Sequence, residues 1–412
     1  MPIPRAAAPD LTLGFLAEGY DFVRERCAQY GSDAFEARLM GTKTVFCVGE
    51  DAAQMFYEPG RFTRRGALPT FALKLLQDEG SVATLDGEAH RVRKALFMSF
   101  MAPERIDPLA RASADGLRER LATWHDGAAL HDILREVLCR AACEWVGVPA
   151  TEDELEAYTH ETSAMIDEAG SFGPANWIAR VRRNRAEARL RDLVAAARSG
   201  ESPFFEGSPA AAVVAHRGAD GAPLDEAVCA VELLNLIRPI VAVARFVTFA
   251  ALALHRHPGH AAAIRAAEGG AARRFVEEVR RTTPFFPVVA GRVRTPFTWR
   301  ERDFAQGEMV VLDLYGTDRD PRLYADPARF DPDRHLGRTP TPFDLVPQGG
   351  GDHFTGHRCA GEWLTIAIMQ SLVEVLAHAS WRVPEQDLTV DLRKMPALPK
   401  SGLVLADVAP VR

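Results

Sequence analysis

The chain has 412 residues, of which 47% are hydrophobic and 25% charged, and its net charge at pH 7 is −7. This composition is ordinary for a globular protein, and the acidic balance argues against a protein that binds nucleic acid through a basic surface. The length is sufficient for a large core that encloses a ligand pocket. No stretch of linker-like composition separates the predicted elements, so we expect a single domain over residues 1–412.

The cysteines and the N-terminal segment indicate a reducing compartment. Six cysteines are scattered along the chain without a CxxC pair, and the first residues, MPIPRAAAPD, lack the apolar stretch of a secretory signal. Scattered free thiols are typical of cytoplasmic proteins, so we expect a cytoplasmic location. Cys139 and Cys143 lie one helical turn apart, and the burial preference of cysteine places both in the core.

The first two thirds of the chain are predicted to be mainly helical. The segment 42–48 (TKTVFCV) is rich in β-branched and aromatic residues and predicts a strand. From about residue 102 to residue 266, long stretches rich in Ala, Leu, Arg and Glu predict helices. A segment rich in Gly, Ser and Pro, 199–209, predicts a surface loop between them.

The last third of the chain mixes short strands, an irregular stretch and a final helix. Pro284 ends the preceding helix, and the segment 309–314 (MVVLDL) predicts a strand. The segment 318–347 is rich in Pro, Asp and Arg and predicts irregular structure, followed by a glycine-rich loop. A final helix is expected at 361–379. The predicted fold class is therefore mainly α with a minor β region.

The longest apolar run, 240–254, belongs to a predicted helix over 232–254. Arg245 interrupts the run, which is too short and too charged to cross a bilayer. We therefore expect a buried core helix and no membrane span.

Arg238 and Pro239 stand side by side inside this apolar helix. A proline within a helix removes a backbone hydrogen bond and costs about 3 kcal/mol. An arginine among Leu, Ile, Val and Ala needs an anionic partner or several acceptors. Two unfavourable neighbours indicate a functional site. A structural pair between Arg238 and an internal carboxylate, or a side chain that reaches solvent, would explain the helix equally well, and Arg245 is open to the same interpretation.

The segment 347–362, PQGGGDHFTGHRCAGE, places Cys359 between a glycine-rich loop and the final helix. The free N–H groups of a helix N-terminus lower the pKa of a cysteine, and a thiolate is a strongly donating ligand for haem iron. Gly350 and its neighbours allow the backbone to approach a flat macrocycle, and His357 and Arg358 can pair with carboxylates. A surface loop with a catalytic or merely buried cysteine is the alternative. A phosphate loop is disfavoured, because no GK[ST] follows and Asp352 repels phosphate.

Glu278 and Arg281 are three residues apart on a predicted helix and face each other. A solvated surface ion pair would explain this spacing as well. The pair is followed by Phe-Asp-Pro-Asp-Arg at 330–334 and then by the cysteine loop, and this order resembles the cytochrome P-450 superfamily. The resemblance implies that Glu278 and Arg281 lock with Arg334 in a buried network.

The cysteine loop resembles one branch of that superfamily, the fatty acid peroxygenases. Asp352 stands where the superfamily usually has Phe, whereas the branch shares the run PQGGGDH followed by GHRC. The similarity extends to PFFP at 284–287, VVLDLYG at 310–316 and PALPKSG at 396–402. It covers most of the second half of the chain and, more patchily, the first.

The resemblance implies a cytochrome P-450-type haem-thiolate fold and one haem b (iron protoporphyrin IX), whose iron Cys359 binds. It also implies that a helix beginning near residue 86 binds the haem propionates. Without the resemblance, this segment would predict a solvated basic helix face. The expected haem-binding residues besides Cys359 are His90, Arg93, Lys94, Arg64, His357 and Gly350.

Arg238 and Pro239 stand where oxygen-activating members of the superfamily carry an acid–alcohol pair that delivers protons. The branch implies that Arg238 instead holds the substrate carboxylate, which then does acid–base work on hydrogen peroxide. Phe285 is expected to line the pocket, although a core position would explain it as well. Ala83 stands where the branch often has a polar residue that biases which carbon is oxidised, and an alanine cannot form that hydrogen bond.

The predicted function is the peroxide-dependent hydroxylation of a fatty acid or similar carboxylic acid at the α or β carbon, or its decarboxylation. We expect no redox partner protein and no nucleic acid. One competing hypothesis is a dioxygen-dependent haem-thiolate monooxygenase that needs redox partners and acts on a non-fatty acid in a biosynthetic pathway. A haem-free hydrolase with Cys359 as nucleophile is a second, and a non-catalytic haem carrier or sensor, which leaves Arg238 unexplained, is a third.

Overall fold

A computed structural model describes residues 3–409 of the chain. Helices dominate it, and a small sheet joins strands from residues 34–63 to strands from residues 288–313. The α-helices of the described residues are α1 Thr12–Glu18, α2 Phe22–Tyr30, α3 Glu50–Tyr57, α4 Thr70–Leu76, α5 Gly87–Ser99, α6 Pro103–Ala122, α7 Leu130–Val146, α8 Glu152–Asp167, α9 Pro174–Arg198, α10 Pro209–Ala215, α11 Glu226–Arg256, α12 Gly259–Arg265, α13 Ala271–Thr282, α14 Leu314–Thr317 and α15 Glu362–His378. Short 3₁₀ turns occupy Gly19–Asp21, Val82–Thr84, Glu268–Gly270 and Pro332–His335.

The strands form one five-stranded sheet and two two-stranded sheets. They are β1 Ala34–Leu39, β2 Thr42–Val48, β3 Phe62–Thr63, β4 Val288–Val293, β5 Phe297–Trp299, β6 Arg302–Phe304, β7 Met309–Asp313, β8 Ser380–Arg382 and β9 Ala406–Ala409. The larger sheet has the order β1-β2-β7-β4-β3, in which β2 and β7 are parallel and the other neighbours antiparallel. β7 is buried throughout and β2 is buried from Thr44 to Val48, as expected of parallel strands covered on both faces.

The predicted elements agree with these bounds. The strand at 42–48 and the strand that begins at residue 309 are present, and α13 ends at Thr282, just before Pro284. The loop predicted at 199–209 lies between α9 and α10, and the final helix is α15. The expectation of a mainly α fold with a minor β region is confirmed.

The helix that carries Arg238 is the longest of the described helices, and 22 of its 31 residues are buried. α11 has 31 residues and packs against α7, α9 and α15. By length and hydropathy it would pass as a membrane span, but 78% of its most apolar window is buried inside the protein. A helix that is apolar on all sides belongs in a core, so α11 is the central core helix that the sequence predicts. Its helical structure continues through Pro239.

The pair Glu278 and Arg281 is fully buried, so the interpretation as a solvated surface pair is wrong. Arg281 donates from Nε and Nη2 to the Glu278 carboxylate at 2.8 and 2.7 Å. Arg334 donates from Nε to Glu278 Oε1 at 3.1 Å, as the resemblance implies. His335 Nε2 adds a contact of 3.0 Å, which the sequence did not predict. The network ties α13 to the irregular segment before the cysteine loop.

The remaining structural expectations concern buried side chains. Cys139 and Cys143 are both buried, as predicted for core positions. Arg245 forms an ion pair with Asp167 at 2.6 Å and donates to the carbonyl of Ala397 at 2.7 Å. Of the two interpretations left open for Arg245, the structural pair is therefore confirmed.

Candidate active site

Cys359 lies at the end of the glycine-rich loop, three residues before α15. Its N–H donates to the carbonyl of Gln348 at 3.1 Å, and its Sγ accepts from Gln348 Nε2 at 3.8 Å. It is partly exposed, whereas the five other cysteines of the chain, all within the described residues, are buried. Among the described residues, Cys359 is therefore the one cysteine that is not buried.

The glycines of the loop are required by the way the loop folds on itself. A Cβ added to Gly350 would lie 2.6 Å from the carbonyl oxygen of Pro342, which cannot be tolerated. Gly351 has a φ of +81°, and a Cβ there would lie 2.9 Å from Cβ of Tyr57. Gly350 thus has a packing role in the loop. Its expected approach to a macrocycle stays a prediction.

The environment of the Cys359 thiol corrects one expectation. Burial raises its pKa, and the charge of Lys94 and hydrogen bonds from Gly361 and Gln348 only oppose this effect. The sequence predicted a lowered pKa from the start of the final helix. The desolvation of the thiol outweighs that influence in the protein alone. A coordinating metal deprotonates a thiol, so the raised pKa does not conflict with iron ligation.

Four basic side chains gather near the cysteine loop. The rings of His90 and His357 lie 4.0 Å apart between centroids. Burial, and then the charges of Lys94 and Arg64, lower the pKa of His90 to about 4. Burial, and then the charges of Arg64, His90 and Lys94, lower the pKa of His357 to about 2. These four groups are therefore close enough to repel each other's charge.

The cluster lacks an acidic partner within the structure. None of Arg64, His90, Lys94 and His357 forms an ion pair with an acidic side chain among residues 3–409. Arg64 donates to the carbonyl of Ala290 at 2.7 Å, and Lys94 donates to the carbonyl of Arg358. A half-buried arginine and a buried lysine that donate only to backbone carbonyls fit a ligand that brings its own carboxylates, as the two propionates of a haem do. The donor set thus fits the expected haem.

Arg93 has another partner, and the prediction that it binds a propionate is corrected. Its Nη1 lies 2.6 Å from Oε1 of Glu232, and both side chains are buried. Glu232 also accepts from the N–H of Val82 at 2.8 Å and from Asn235 at 3.1 Å. Arg93 therefore joins α5 to α11, while His90 and Lys94 of the same helix reach the cysteine loop.

Arg238 is buried and has no acidic partner among the described residues. Its exposed fraction is 7%, its Nη2 donates to the carbonyl of Leu76, and its Nε has no hydrogen-bond acceptor. Burial, and then the like charge of Arg183, lower its pKa to about 9, against the opposite influence of Cys359. The internal carboxylate and the solvent-reaching side chain that the sequence left open for Arg238 are both contradicted here. A guanidinium in this state fits an anionic ligand.

The remaining predicted residues lie around the same region. Pro239 is exposed, although Arg238 and Ile240 beside it are buried. The ring of Phe285 is half-buried and packs edge-on against Phe246 of α11, with centroids 5.0 Å apart. Ala83 is half-buried in the 3₁₀ turn Val82–Thr84.

Arg358, which the loop sequence also offers as a partner for carboxylates, is instead bound by Glu362 at 2.5 Å, and Glu362 also binds Arg280 of α13. One feature of the site escaped the sequence. Arg183 of α9 approaches Arg238 closely enough to influence its pKa. Nothing in the arginine-rich sequence of α9 distinguishes a buried arginine from its exposed neighbours.

Comparisons with known proteins agree with this geometry. A family model described as Cytochrome P450 matches residues 272–405. A curated relative, "Putative cytochrome P450 138" of Mycobacterium bovis, is 33% identical over 113 residues, which are 26% of this chain and 25% of the relative. The mouse "25-hydroxyvitamin D-1 alpha hydroxylase, mitochondrial" is 35% identical over 103 residues, 23% of this chain and 19% of the relative. The matched segment thus spans a quarter or less of these curated relatives.

Solved structures match over nearly the whole chain. Cytochrome P450EX alpha (CYP152N1), solved with myristic acid, is 40% identical with a TM-score of 0.95 and coverage of 99% of both chains. Cytochrome P450SP alpha (CYP152B1), solved with (R)-ibuprophen, is 40% identical with a TM-score of 0.94, covering 98% of this chain and 100% of that one. A variant of cytochrome P450 OleT, solved with arachidonic acid, is 31% identical with a TM-score of 0.96, covering 100% and 99%.

A mainly helical fold with a buried Glu–Arg–Arg network and a cysteine loop under a basic cluster defines a haem-thiolate protein, and the chain belongs to the cytochrome P450 family. Its similarity to the CYP152 structures over the full length confirms the resemblance to the fatty acid peroxygenase branch. The family implies a haem cofactor.

Proposed function

We propose that the protein is a haem-thiolate peroxygenase that uses hydrogen peroxide to hydroxylate a fatty acid or similar carboxylic acid at the α or β carbon, or to decarboxylate it. The observation that carries the proposal is the state of Arg238, a buried guanidinium without an acidic partner among residues 3–409. Similarity to structures solved with myristic and arachidonic acid supports a substrate of this class.

The proposed cofactor is haem b, with Cys359 as the ligand of its iron. When bound, the haem supplies the oxidising chemistry that peroxide activation requires. His90, Lys94, His357 and Arg64 would hold the propionates. Their mutual repulsion in the protein alone is relieved when two carboxylates enter the cluster.

Arg238 binds and orients the substrate carboxylate. A bidentate guanidinium–carboxylate pair fixes both the position and the direction of the acid, and burial strengthens the pair by excluding water. The carboxylate so held is the acid–base group that accepts and returns the proton of hydrogen peroxide. The substrate thereby supplies the acid–base group that the protein lacks beside Arg238.

The surroundings of α11 support this role for the substrate. Pro239 has neither a hydroxyl nor an N–H. The nearest hydroxyl downstream on α11, that of Thr248, donates to the carbonyl of Ala244 at 2.7 Å and contacts Nδ1 of His131 at 2.9 Å. Upstream, Glu232 is bound by Arg93. Both side chains are engaged in the structure, so a protein-borne acid–alcohol relay has no candidate next to Arg238 in the described helix.

The remaining parts of the proposal follow from the same chemistry. A peroxide-driven enzyme needs no electron donor, so we propose that no redox partner protein is required, and a cytoplasmic location fits the free thiols. The full-length similarity to CYP152 structures speaks against a haem-free hydrolase, a non-catalytic haem carrier and a dioxygen-dependent monooxygenase.

The test is turnover of a long-chain fatty acid by the haem-loaded enzyme with hydrogen peroxide alone. Arg238→Ala should lose nearly all turnover, and Arg238→Lys, which keeps the charge but not the fork, should retain a small part. A parallel assay with dioxygen and a reductase should give no more product than the assay with hydrogen peroxide alone. Unchanged peroxide-driven turnover in Arg238→Ala would overturn the proposal.

A further inference from the structure

The guanidinium of Arg238 rests on the end of a short helix. α4 ends at Leu76, and the last carbonyls of any helix lack partners within the helix. Here the carbonyls of three successive residues, Leu75, Leu76 and Gln77, accept hydrogen bonds from side chains of α9 and α11. The end of α4 is therefore a platform of acceptors beneath Arg238.

Arg183 of α9 takes the two outer carbonyls of this platform. Its Nη1 donates to the carbonyl of Leu75 at 2.9 Å, and its Nη2 donates to the carbonyl of Gln77 at 3.5 Å. Arg238 donates to the carbonyl of Leu76, which lies between them in the chain. The guanidinium of Arg238 therefore binds the middle one of three consecutive carbonyls, and the guanidinium of Arg183 binds the two on either side.

The orientation of Arg183 is itself fixed. The side chain is 1% exposed, and its Nε donates to Oε1 of Glu187, one turn further along α9, at 2.6 Å. Because a guanidinium is planar, anchoring Nε determines where both Nη groups point. Arg183 is consequently a rigid link between α9 and the end of α4.

We propose that Arg183 is a positioning residue for carboxylate recognition, which fixes the carbonyls on both sides of Leu76 and so sets the acceptor that aims Arg238 at the substrate. The inference rests on the proposed function, because it deepens the role of Arg238. A misplacement of about 1 Å in a recognition group reduces catalysis by up to about 10²-fold. The effect should therefore appear with ligands that carry a carboxylate and not with ligands that lack one.

Arg183 is not the sole attachment of α4. Asn176, also on α9 and buried, donates from Nδ2 to the carbonyl of Phe71 at 3.2 Å, near the other end of α4. Loss of Arg183 therefore leaves the helix tethered. Asn176→Ala is a matched control, because it weakens the same helix–helix contact without touching the carbonyls beside Leu76.

The experiment compares two ligands in the haem-loaded protein by their effect on the haem absorbance. A saturated fatty acid reports carboxylate recognition, and imidazole, an iron ligand without a carboxylate, reports the integrity of the pocket. In Arg183→Met, the Kd of the acid should rise about tenfold or more, while the Kd of imidazole stays within about twofold. Arg183→Lys, with one donor group in place of the fork, should fall between the wild type and Arg183→Met.

The controls separate the possible failures. Asn176→Ala should leave the ratio of the two Kd values unchanged. A poorly folded Arg183→Met is replaced by Glu187→Ala, which removes the acceptor of Nε at a half-buried position. An unchanged acid Kd in the Arg183 variants, or an equal rise for both ligands, contradicts the inference. If Arg238→Ala also leaves the acid Kd unchanged, the proposed function fails as well; if only Arg238→Ala weakens the acid, the inference alone fails.

Discussion

The two buried arginines of α11, Arg238 and Arg245, differ in what balances their charge. Arg245 has the carboxylate of Asp167 at 2.6 Å, whereas Arg238 has one backbone carbonyl and the like charge of Arg183 nearby. Both lie in apolar sequence, so a charge in an apolar helix is by itself ambiguous. The partner decides between a structural and a functional role, and for Arg238 the missing partner is an anion.

One prediction at the residue scale concerns the iron ligand. Cys359→Ala should abolish the red-shifted band that carbon monoxide gives with a reduced thiolate-ligated haem, because no other ligand of this strength replaces the sulfur. The measurement is a difference spectrum of the reduced protein. Cys229→Ala, at a buried cysteine of α11, should retain the band. A surviving band in Cys359→Ala would assign the ligand to another residue.

At the residue scale, the sequence identified the residues that break a local pattern, but it did not identify the side chains that they pair with. Arg238 stood out because it breaks the pattern of an apolar helix, and Cys359 because of its loop. Arg93 was misassigned because its partner, Glu232, lies 139 residues away in the chain. Arg183 was missed because its helix carries several arginines, most of them exposed. Burial and pairing depend on the packing of distant helices, which a local pattern does not contain.

At the scale of elements, α11 and α13 organise the site in different ways. α11 carries Arg238 and Pro239 through the core, and α13 holds the irregular segment 326–335 through its buried Glu278 and Arg281. Two hydrogen bonds from Arg281 and contacts from Arg334 and His335 saturate the Glu278 carboxylate. The segment that leads into the cysteine loop is thus held in place mainly by charged side chains and not by the hydrogen bonds of a long helix or a sheet.

Glu278→Gln should destabilise the protein by about 3–5 kcal/mol, because it leaves buried cations without their counter-charge. Although burial opposes ionisation, hydrogen bonds from Arg281 and His335 lower the pKa of Glu278 from 4.5 to about 2. A carboxylate with a depressed pKa stabilises the fold above its unfolded pKa, and this contribution is lost as the pH falls from about 4.5 towards 2. Urea unfolding of both proteins across this range should show their difference in stability shrinking as the pH falls. A constant difference would contradict the network.

Much of the element order followed from local patterns. The apolar run TKTVFCV predicted β2 with the observed bounds, and proline marked the end of α13. The pairing of β2 with β7, more than 250 residues later, has no local signal, because parallel strands meet only after the intervening helices have packed. The same limit applies to the end of α4, whose carbonyls acquire their partners from α9 and α11.

At the scale of the whole molecule, a chain with a net charge of −7 holds several basic side chains without acidic partners near the cysteine loop and on α11. Arg238, Arg64, Lys94 and the paired histidines lie in or near the core, and burial lowers the pKa of Lys94 to about 8. Such an interior binds anionic groups of cofactor and substrate, and their binding should stabilise the folded state.

Thermal unfolding tests this coupling in the haem-loaded protein. A fatty acid at about one hundred times its Kd should add about 2.7 kcal/mol to the stability and raise Tm by a few degrees. Arg238→Ala should lose most of this shift. An alkane of similar length, which lacks the carboxylate, should raise Tm much less in the wild type. Equal shifts from acid and alkane would show that the interior charge does not recognise the acid.

The position of the carboxylate in a crystal structure of the haem-loaded protein with a bound fatty acid tests the central claim most directly. We predict that both carboxylate oxygens lie within hydrogen-bond distance of the Arg238 guanidinium, with the α and β carbons on the side of Cys359. A carboxylate bound elsewhere, with Arg238 still on the carbonyl of Leu76 alone, would contradict the proposed role of Arg238.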